Sequence, residues 1–373
     1  MSRTDLGKDI VQVKRIDVLD GLRGLAVLIV FFSHTSGREQ SIAEYVNFLG
    51  IGHIGVYLFF TMSAFLLGIG ILSKPFTLNA MKSFFIKRAL RVVPVYYIVV
   101  TGVFLVQVIS TSYSPKYLYV SNGLNGYLEH LYFYRGDGVF WSIVSEIQFY
   151  LIVPIIGWVL LKPKGLILLS FLALLNFTLY IMFYANLNDY LLYFSPNTLQ
   201  RGTFIDVFLL GFFAAYLVQF KKEYLERKQF TIHILATVLF LTGGVITLIL
   251  VSKNFLGFNQ PLYGFRYLSI LFGLSFSLIT VSLYMNNPWM NSFFKLPFLR
   301  FIGQIGFSFY LLHMAVFEQV NRTDLHHTLK FFVSFILISL ISYISYILIE
   351  KPSIKLSYRL LQKLKPAPTT SSL

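Results

Sequence analysis

Long apolar runs alternate with short polar segments along almost the whole chain, and this pattern predicts a protein built from membrane-spanning helices. Each run has about the 20 residues that a helix needs to cross a bilayer. We therefore predict an all-α, polytopic transmembrane helical bundle of about ten spans. The predicted spans are residues 18–33, 54–72, 81–109, a span from about 141, 166–184, 204–218, 231–251, 265–284, 301–320 and 329–349.

The segments between the spans divide the chain into one large domain and a short tail. Residues 1–350 are predicted to form the transmembrane domain, and residues 351–373 a cytoplasmic tail with a disordered polar end. Residues 110–139 form the longest predicted loop. Pro94 is expected to kink the third span, since proline removes a helix hydrogen bond.

Composition supports the membrane assignment. Of 373 residues, 56% are hydrophobic and 13% are charged, and the mean hydropathy is +0.69. Soluble domains carry about 25% charged residues. Cysteine is absent, which excludes disulfides and thiolate chemistry.

The net charge of +15 first suggests a nucleic-acid partner, but its distribution indicates membrane topology instead. With ten spans, most of the 31 Lys and Arg residues fall on the side of the N-terminus. This is the positive-inside pattern, which predicts that both termini are cytoplasmic. We expect a multi-pass protein of the inner (plasma) membrane that contacts lipids and no nucleic acid.

Arg23 and His34 mark the two ends of the first predicted helix. They are eleven residues apart, which corresponds to about 16 Å along the axis and nearly the same helix face. Ionisable residues inside a membrane are costly and therefore functional candidates. The alternative is that Arg23 extends to the membrane surface and His34 caps the helix.

Glu146 is a carboxylate within an apolar helix, on the same face as Tyr150. Such a group is expected to take part in a site, either directly or by orienting His34. Arg88 and Arg91 share a helix face and suit an anionic phosphate ligand, although ordinary positive-inside charge gives the same pattern.

Other polar residues have simpler interpretations. His313 is expected to be a buried histidine hydrogen-bonded by a neighbouring helix. Arg201, Asp206 and Arg266 are candidates to line an external cavity. The remaining histidines of the predicted external loops are expected to be solvated: His53, His130, His326 and His327. No metal site is predicted, because HExxH and other ligand clusters are absent, as are the P-loop, GxGxxG and GxSxG motifs.

Several segments, in order, resemble one known family. RIDVLDGLRGLAVLIVFFSH, GVYLFFTMSAFLL, RALR, WSIVSEIQFYLIVP, FIGQIGFSFYLLH and IEKP resemble the successive motifs of the membrane-bound acyltransferase-3 family. The opening segment contains the family's R-x10-H spacing, from Arg23 to His34. Ala64 stands where the family usually has glycine. The resemblance covers nearly the whole chain, which matches the membrane-only form without a fused SGNH hydrolase domain.

The resemblance implies transfer of an acyl group, most often acetyl, from cytoplasmic acyl-CoA to a hydroxyl of an extracytoplasmic glycan or glycolipid. It implies His34 and Glu146 as catalytic residues, with no metal. The arginines Arg23, Arg88 and Arg91 are then expected to bind acetyl-CoA or another acyl-CoA. The remaining motif residues are expected to contact substrate: Trp141, Tyr150 and His313.

Two mechanisms and a rival function remain open at the level of sequence. His34 is suited to act as a general base, with Glu146 orienting it as a triad carboxylate does. A covalent acyl-His34 relay is equally compatible. The rival function is a polysaccharide exporter or transporter without acyl chemistry, and a catalytically silent scaffold is a third hypothesis. The acceptor, the acyl chain and the oligomeric state are not readable from the sequence.

Overall fold

The structure, a computed structural model, describes residues 17–36, 48, 50–109, 119–120, 123–184, 204–251 and 268–363. Its helices are α1 Asp17–Thr35, α2 Gly52–Leu72, α3 Leu78–Ile109, α4 Gly123–Leu131, α5 Phe140–Leu160, α6 Gly165–Tyr184, α7 Ile205–Phe220, α8 Lys222–Arg227, α9 Gln229–Val251, α10 Ser269–Tyr284, α11 Asn291–Phe294, α12 Pro297–Asn321, α13 His327–Ser345 and α14 Lys351–Lys363. A π-helical turn, Tyr346–Glu350, joins α13 to α14. Arg201, Arg266 and the predicted disordered end of the tail lie outside the described residues.

The described residues form an all-α, polytopic helical membrane protein, as predicted. Seven helical segments are long and apolar enough to cross a bilayer: α1, α2, α3, α5, α9, α12 and the continuous stretch His327–Lys363. Three shorter apolar helices, within α6, α7 and α10, account for the other predicted spans. The number of spans and the sides of the termini stay predictions.

The expectation that residues 110–139 form one loop is wrong in part. The predicted loop 110–139 contains the helix α4, whose turns are held by backbone hydrogen bonds. Helix α3 continues through Pro94 without interruption. The kink expected at Pro94 stays a prediction. Residues 351–363 are helical and pack on α3. The boundary between transmembrane domain and tail stays a prediction.

The peripheral helices present apolar side chains outward. Leu168, Leu248 and Ile336 are each about half exposed or more. In water such a surface would be costly, whereas lipid chains are as apolar as these residues. We infer that α6, α9 and α13 face the bilayer around a buried centre formed by α1, α2, α5 and α12.

The centre of the bundle is a close, parallel contact between α1 and α12. A Cβ atom on Gly303 would lie 1.8 Å from the carbonyl oxygen of Asp20, and one on Gly24 would lie 2.1 Å from that of Leu299. Small residues permit such approach in membrane helices. Farther along the two helices, Phe31 contacts Phe309, with ring centroids 5.7 Å apart. The glycines therefore set the distance at which residues of α1 and α12 meet.

We expect Gly303→Ala to lower the midpoint of thermal unfolding in detergent. The new methyl group would overlap backbone atoms and force the helices apart, at a cost of about 1–3 kcal/mol. Gly102→Ala on α3 is the matched control, since nothing lies within 4 Å of a Cβ there. Equal unfolding midpoints for the two variants would contradict the close contact.

The segment between α3 and α5 folds around His130, which is fully buried rather than solvated as expected. Its Nδ1 donates to the carbonyl of Gly126 at 2.7 Å, and its Nε2 accepts the backbone N–H of Asp137 at 3.1 Å. Arg135 pairs with Asp137 at 3.0 Å and with Glu129 at 3.3 Å. Burial lowers the pKa of His130 below its ordinary value.

We expect this segment to loosen as the pH falls. An exposed histidine takes up a proton below about pH 6.5, whereas the buried ring, with its lowered pKa, resists protonation until a lower pH. The neutral ring's contribution to stability is therefore present above that range and is lost as the pH falls through the lowered pKa. Backbone hydrogen exchange across residues 123–139 should accelerate from pH 7.5 to pH 5, after correction for its intrinsic rate. A His130→Gln variant should show a flatter dependence, and identical profiles would contradict the assignment.

Candidate functional site

Three arginines that the sequence analysis selected line one cavity. Arg23 of α1 and Arg88 and Arg91 of α3 surround about 530 Å³ of space that protein atoms leave open, including its mouth. Each is partly buried, and Arg23 also binds Asp20 at 3.0 Å. We call this space, whose other lining residues include Ser63, Gln304 and Phe307, the charged cavity.

Two carboxyl side chains share the charged cavity with the arginines. Glu146 accepts hydrogen bonds at 2.6 Å from both Ser63 and Tyr150. Glu350, at the end of the π-helical turn, accepts a hydrogen bond from Ser308. Three guanidinium groups against two carboxyl groups leave the lining cationic by formal charge, which suits an anionic ligand.

A second, apolar cavity lies next to the charged cavity. It leaves about 380 Å³ open and is lined almost entirely by apolar atoms from α1, α2, α5 and α12. Its few polar lining groups include Ser142 and Tyr310, whose hydroxyls are 2.7 Å apart. The other lining residues are Ala26, Val27, Val30, Gly55, Val56, Phe59, Ile143, Gly306 and Phe307.

The two cavities are stacked along the helix axes. On α1, Arg23 lines the charged cavity and Val27 and Val30 line the apolar cavity. On α12 the order along the chain is the same, from Gln304 to Tyr310. Helices α2 and α5 show the reverse order along the chain, as expected for helices that run in the opposite direction. The two cavities therefore follow one another along the bundle, in the direction from the arginines toward the His34 end of α1.

His34 meets His313 beyond the apolar cavity. The Nδ1 atom of His34 is 2.9 Å from the Nε2 atom of His313, and the rings stack with centroids 5.0 Å apart. The parallel packing of α1 and α12 places both histidines at the same level. His313 is buried, and His34 is partly exposed.

The hydrogen bonds determine which nitrogen atoms carry protons when both rings are neutral. The Nδ1 of His313 lies 2.6 Å from the carbonyl oxygen of Tyr310, which accepts only, so this nitrogen donates. The Nε2 of His313 then accepts from Nδ1–H of His34. This arrangement places a lone pair on Nε2 of His34, the atom that a general base or a nucleophile would use.

Glu146 lies elsewhere than expected. Its hydrogen bonds among the described residues go to Ser63 and Tyr150, and not to His34. The expected contact between Glu146 and His34 is therefore wrong, because α5 presents Glu146 to the charged cavity, whose lining does not include His34. His313 occupies the orienting position instead.

The other predicted substrate contacts fall into different places. Tyr150 lines the charged cavity, and Trp141 packs among aromatic rings, with Phe204 at 5.0 Å and His53 at 6.0 Å between centroids. Asp206 is buried and accepts a hydrogen bond from Ser269 at 2.9 Å. Asp206 lines neither cavity.

Sequence reasoning missed Glu350 and Tyr310 as site residues. Glu350 follows an apolar run, which is the same anomaly that marked Glu146, and its IEKP segment was noted only as a resemblance. Tyr310 lies one helical turn before His313, so its carbonyl is the ordinary acceptor for a side chain at that spacing. Its role became visible only with the packing of α12 against α1.

The described helices form a membrane protein in which the charged cavity, the apolar cavity and a histidine pair follow one another. This is the layout of a group-transfer site. A family profile described as an acyltransferase domain matches residues 16–349, and the chain belongs to that family. The resemblance inferred from the motifs is thereby confirmed.

Curated relatives carry a matching name. Two Staphylococcus aureus proteins, from strains COL and MSSA476, are each called "Putative O-acetyltransferase". The first is 25% identical over 91% of this chain, and the second 26% identical over 90%. The chain spans 58% and 56% of their lengths, respectively. No solved structure matches the chain.

Proposed function

We propose that the protein is an integral membrane O-acyltransferase. It moves an acyl group, most often acetyl, from cytoplasmic acyl-CoA to a hydroxyl of an extracytoplasmic glycan or glycolipid. The observation that carries the proposal is that the charged cavity, the apolar cavity and the pair of His34 and His313 follow one another along four packed helices. Membership in the acyltransferase-domain family supports the same reaction class.

The charged cavity fits the phosphate-bearing end of the donor. Guanidinium groups bind phosphate oxygens through paired hydrogen bonds, and three of them line this cavity. Glu146 and Glu350 lie in the same lining, and the three arginines still leave it with a net positive formal charge. The positive-inside distribution of Lys and Arg supports a cytoplasmic mouth for the cavity.

The apolar cavity suits the uncharged arm that links the phosphates to the thioester. Its lining contains almost no polar surface, so it offers an extended uncharged chain a dry route along α1. The distance from Arg23 to His34, about 16 Å, is the length that the arm has to span. The thioester would then arrive beside the lone pair on Nε2 of His34.

His34 carries the chemistry in this proposal. As a general base it removes the proton from the acceptor hydroxyl, whose oxygen attacks the thioester carbonyl and forms the ester C–O bond. The C–S bond breaks, and the CoA thiolate leaves and takes up the proton from His34. His313 fixes the tautomer and orientation of His34 through the 2.9 Å hydrogen bond. The same lone pair of His34 would serve an acyl-histidine relay.

The proposal is tested with membranes that contain the protein and acetyl-CoA labelled in the acetyl group. Label should enter the glycan or glycolipid fraction, and mass spectrometry of surface glycans from cells with and without the protein should show the matching mass difference. The plasma membrane should carry the activity. Absence of transfer with correctly folded protein and a full panel of glycan acceptors would overturn the proposal.

The rival exporter receives less support from the geometry. A route for a hydrated glycan needs hydrogen-bonding groups along its wall, whereas the apolar cavity offers almost none. The same assay separates the two functions, because an exporter would move glycan without incorporating label.

A further inference from the structure

Two phenylalanines are the only lining residues that the charged and apolar cavities share. Phe59 comes from α2 and Phe307 from α12. Each cavity is otherwise lined by its own set of residues. A molecule that extends from the arginines toward His34 would therefore pass Phe59 and Phe307, where the two cavities adjoin.

We infer that Phe59 and Phe307 form a barrier that keeps water in the charged cavity from reaching the thioester, and that this barrier couples donor cleavage to the acceptor. The inference rests on the proposed function and names two positioning residues for it. Phe59 lies in the GVYLFFTMSAFLL segment and Phe307 in the FIGQIGFSFYLLH segment, and the sequence analysis assigned neither residue a role.

The packing around the two rings suits a barrier that opens. Both side chains are partly exposed although they lie inside the bundle, because they border the cavities. Neighbouring rings are held more tightly: Phe60 stacks on Phe208 with centroids 4.3 Å apart and is fully buried. No such ring contact is made by Phe59 or Phe307 among the described residues, although both side chains pack against the hydrophobic core.

The charged cavity and the apolar cavity, which Phe59 and Phe307 both line, differ in how well they hold water. The charged cavity holds guanidinium and carboxyl groups, which retain water, whereas the apolar cavity offers a water molecule few hydrogen-bond partners. A dry thioester beside His34 meets only the acceptor hydroxyl. Water admitted there would attack the same carbonyl, break the C–S bond and release free carboxylic acid and CoA.

The test compares acyl transfer with donor hydrolysis in Phe59→Ala and Phe307→Ala. Hydrolysis is measured as CoA thiol released from acetyl-CoA without acceptor, and transfer as label in the glycan. Each variant should raise the ratio of hydrolysis to transfer by about tenfold, equivalent to about 1.4 kcal/mol of lost discrimination. Phe298→Ala, on the same helix and half exposed outside the cavities, is the matched control and should keep the wild-type ratio.

The bulkier variant Phe307→Trp gives a second, independent measurement. A larger ring narrows the path, so the rate of transfer at saturating acetyl-CoA should fall. The affinity for CoA is measured alongside, because Phe307 also lines the charged cavity. Wild-type ratios in both alanine variants, with transfer and folding intact, would overturn the barrier. A wild-type protein that transfers no acyl group would instead overturn the proposed function, so the two failures are distinguishable.

Discussion

His34→Ala should abolish acyl transfer while the protein still folds and binds CoA. A positioned general base contributes about 10²–10⁴-fold to a rate, and a nucleophile in a covalent relay at least as much. The Nε2 lone pair of His34 is not expected to be replaced by that of His313, because His313 is buried and its Nδ1–H is held by the carbonyl of Tyr310. The measurement is label transferred from acetyl-CoA, with the unfolding midpoint and CoA affinity as controls.

The same experiment distinguishes general-base catalysis by His34 from a covalent acyl-His34 relay. A relay would leave label on the wild-type protein after rapid acid quenching without acceptor, and that label would be absent from His34→Ala. A general base would leave none on either protein. Transfer at the wild-type rate by His34→Ala would remove this residue from the mechanism altogether.

The His313→Gln variant tests whether His313 acts by orienting His34 for proton transfer. Glutamine retains hydrogen-bonding capacity but cannot hold a proton as an imidazole does, so transfer should fall less than in His34→Ala, and its dependence on pH should change. A role in packing alone would lower the amount of folded protein and leave the pH profile of the remaining activity unchanged.

Arg88→Ala and Arg91→Ala should each raise the KM for acyl-CoA by about 10- to 100-fold and leave the KM for the acceptor unchanged. A hydrogen bond to a charged group contributes about 1.5–3 kcal/mol, which corresponds to that range. Both residues line the cavity at the far end of the path from His34, so their loss should not affect the acceptor.

Arg227→Ala is the matched control for these variants. It removes the same charge from an exposed residue of α8, whose only described ion pair is with Glu223 at 3.6 Å. Lysine at position 88 or 91 should recover part of the affinity, since it keeps the charge but loses the paired donors. A parallel rise in the KM for the acceptor would contradict the assignment of this cavity to the donor.

The sequence was sufficient for features that depend on one helix at a time. Apolar runs located the helices to within a few residues, and the spacing from Arg23 to His34 identified a shared face because helical geometry is regular. The pair Arg88 and Arg91 followed from the same regularity. These predictions need no knowledge of neighbours.

Features that depend on packing between helices were missed or misplaced. Glu146 was recognised as anomalous, but its partners depend on how α5 is rotated against α2, and it turned out to bind Ser63. His130 was expected in solvent because its neighbours are polar, whereas those polar groups fold around it. No sequence motif marks the apolar cavity, because its lining consists mostly of ordinary apolar residues from four helices.

The histidine pair joins positions 279 residues apart, and this has a consequence for biosynthesis. Helix α1 leaves the ribosome early, but its reactive imidazole acquires an oriented partner only when α12 has entered the membrane beside it. In an unfinished or truncated chain, α1 therefore carries Arg23 and His34 without the His313 that orients the imidazole. On the proposed function, acyl transfer by His34 would begin only after α12 has packed beside α1.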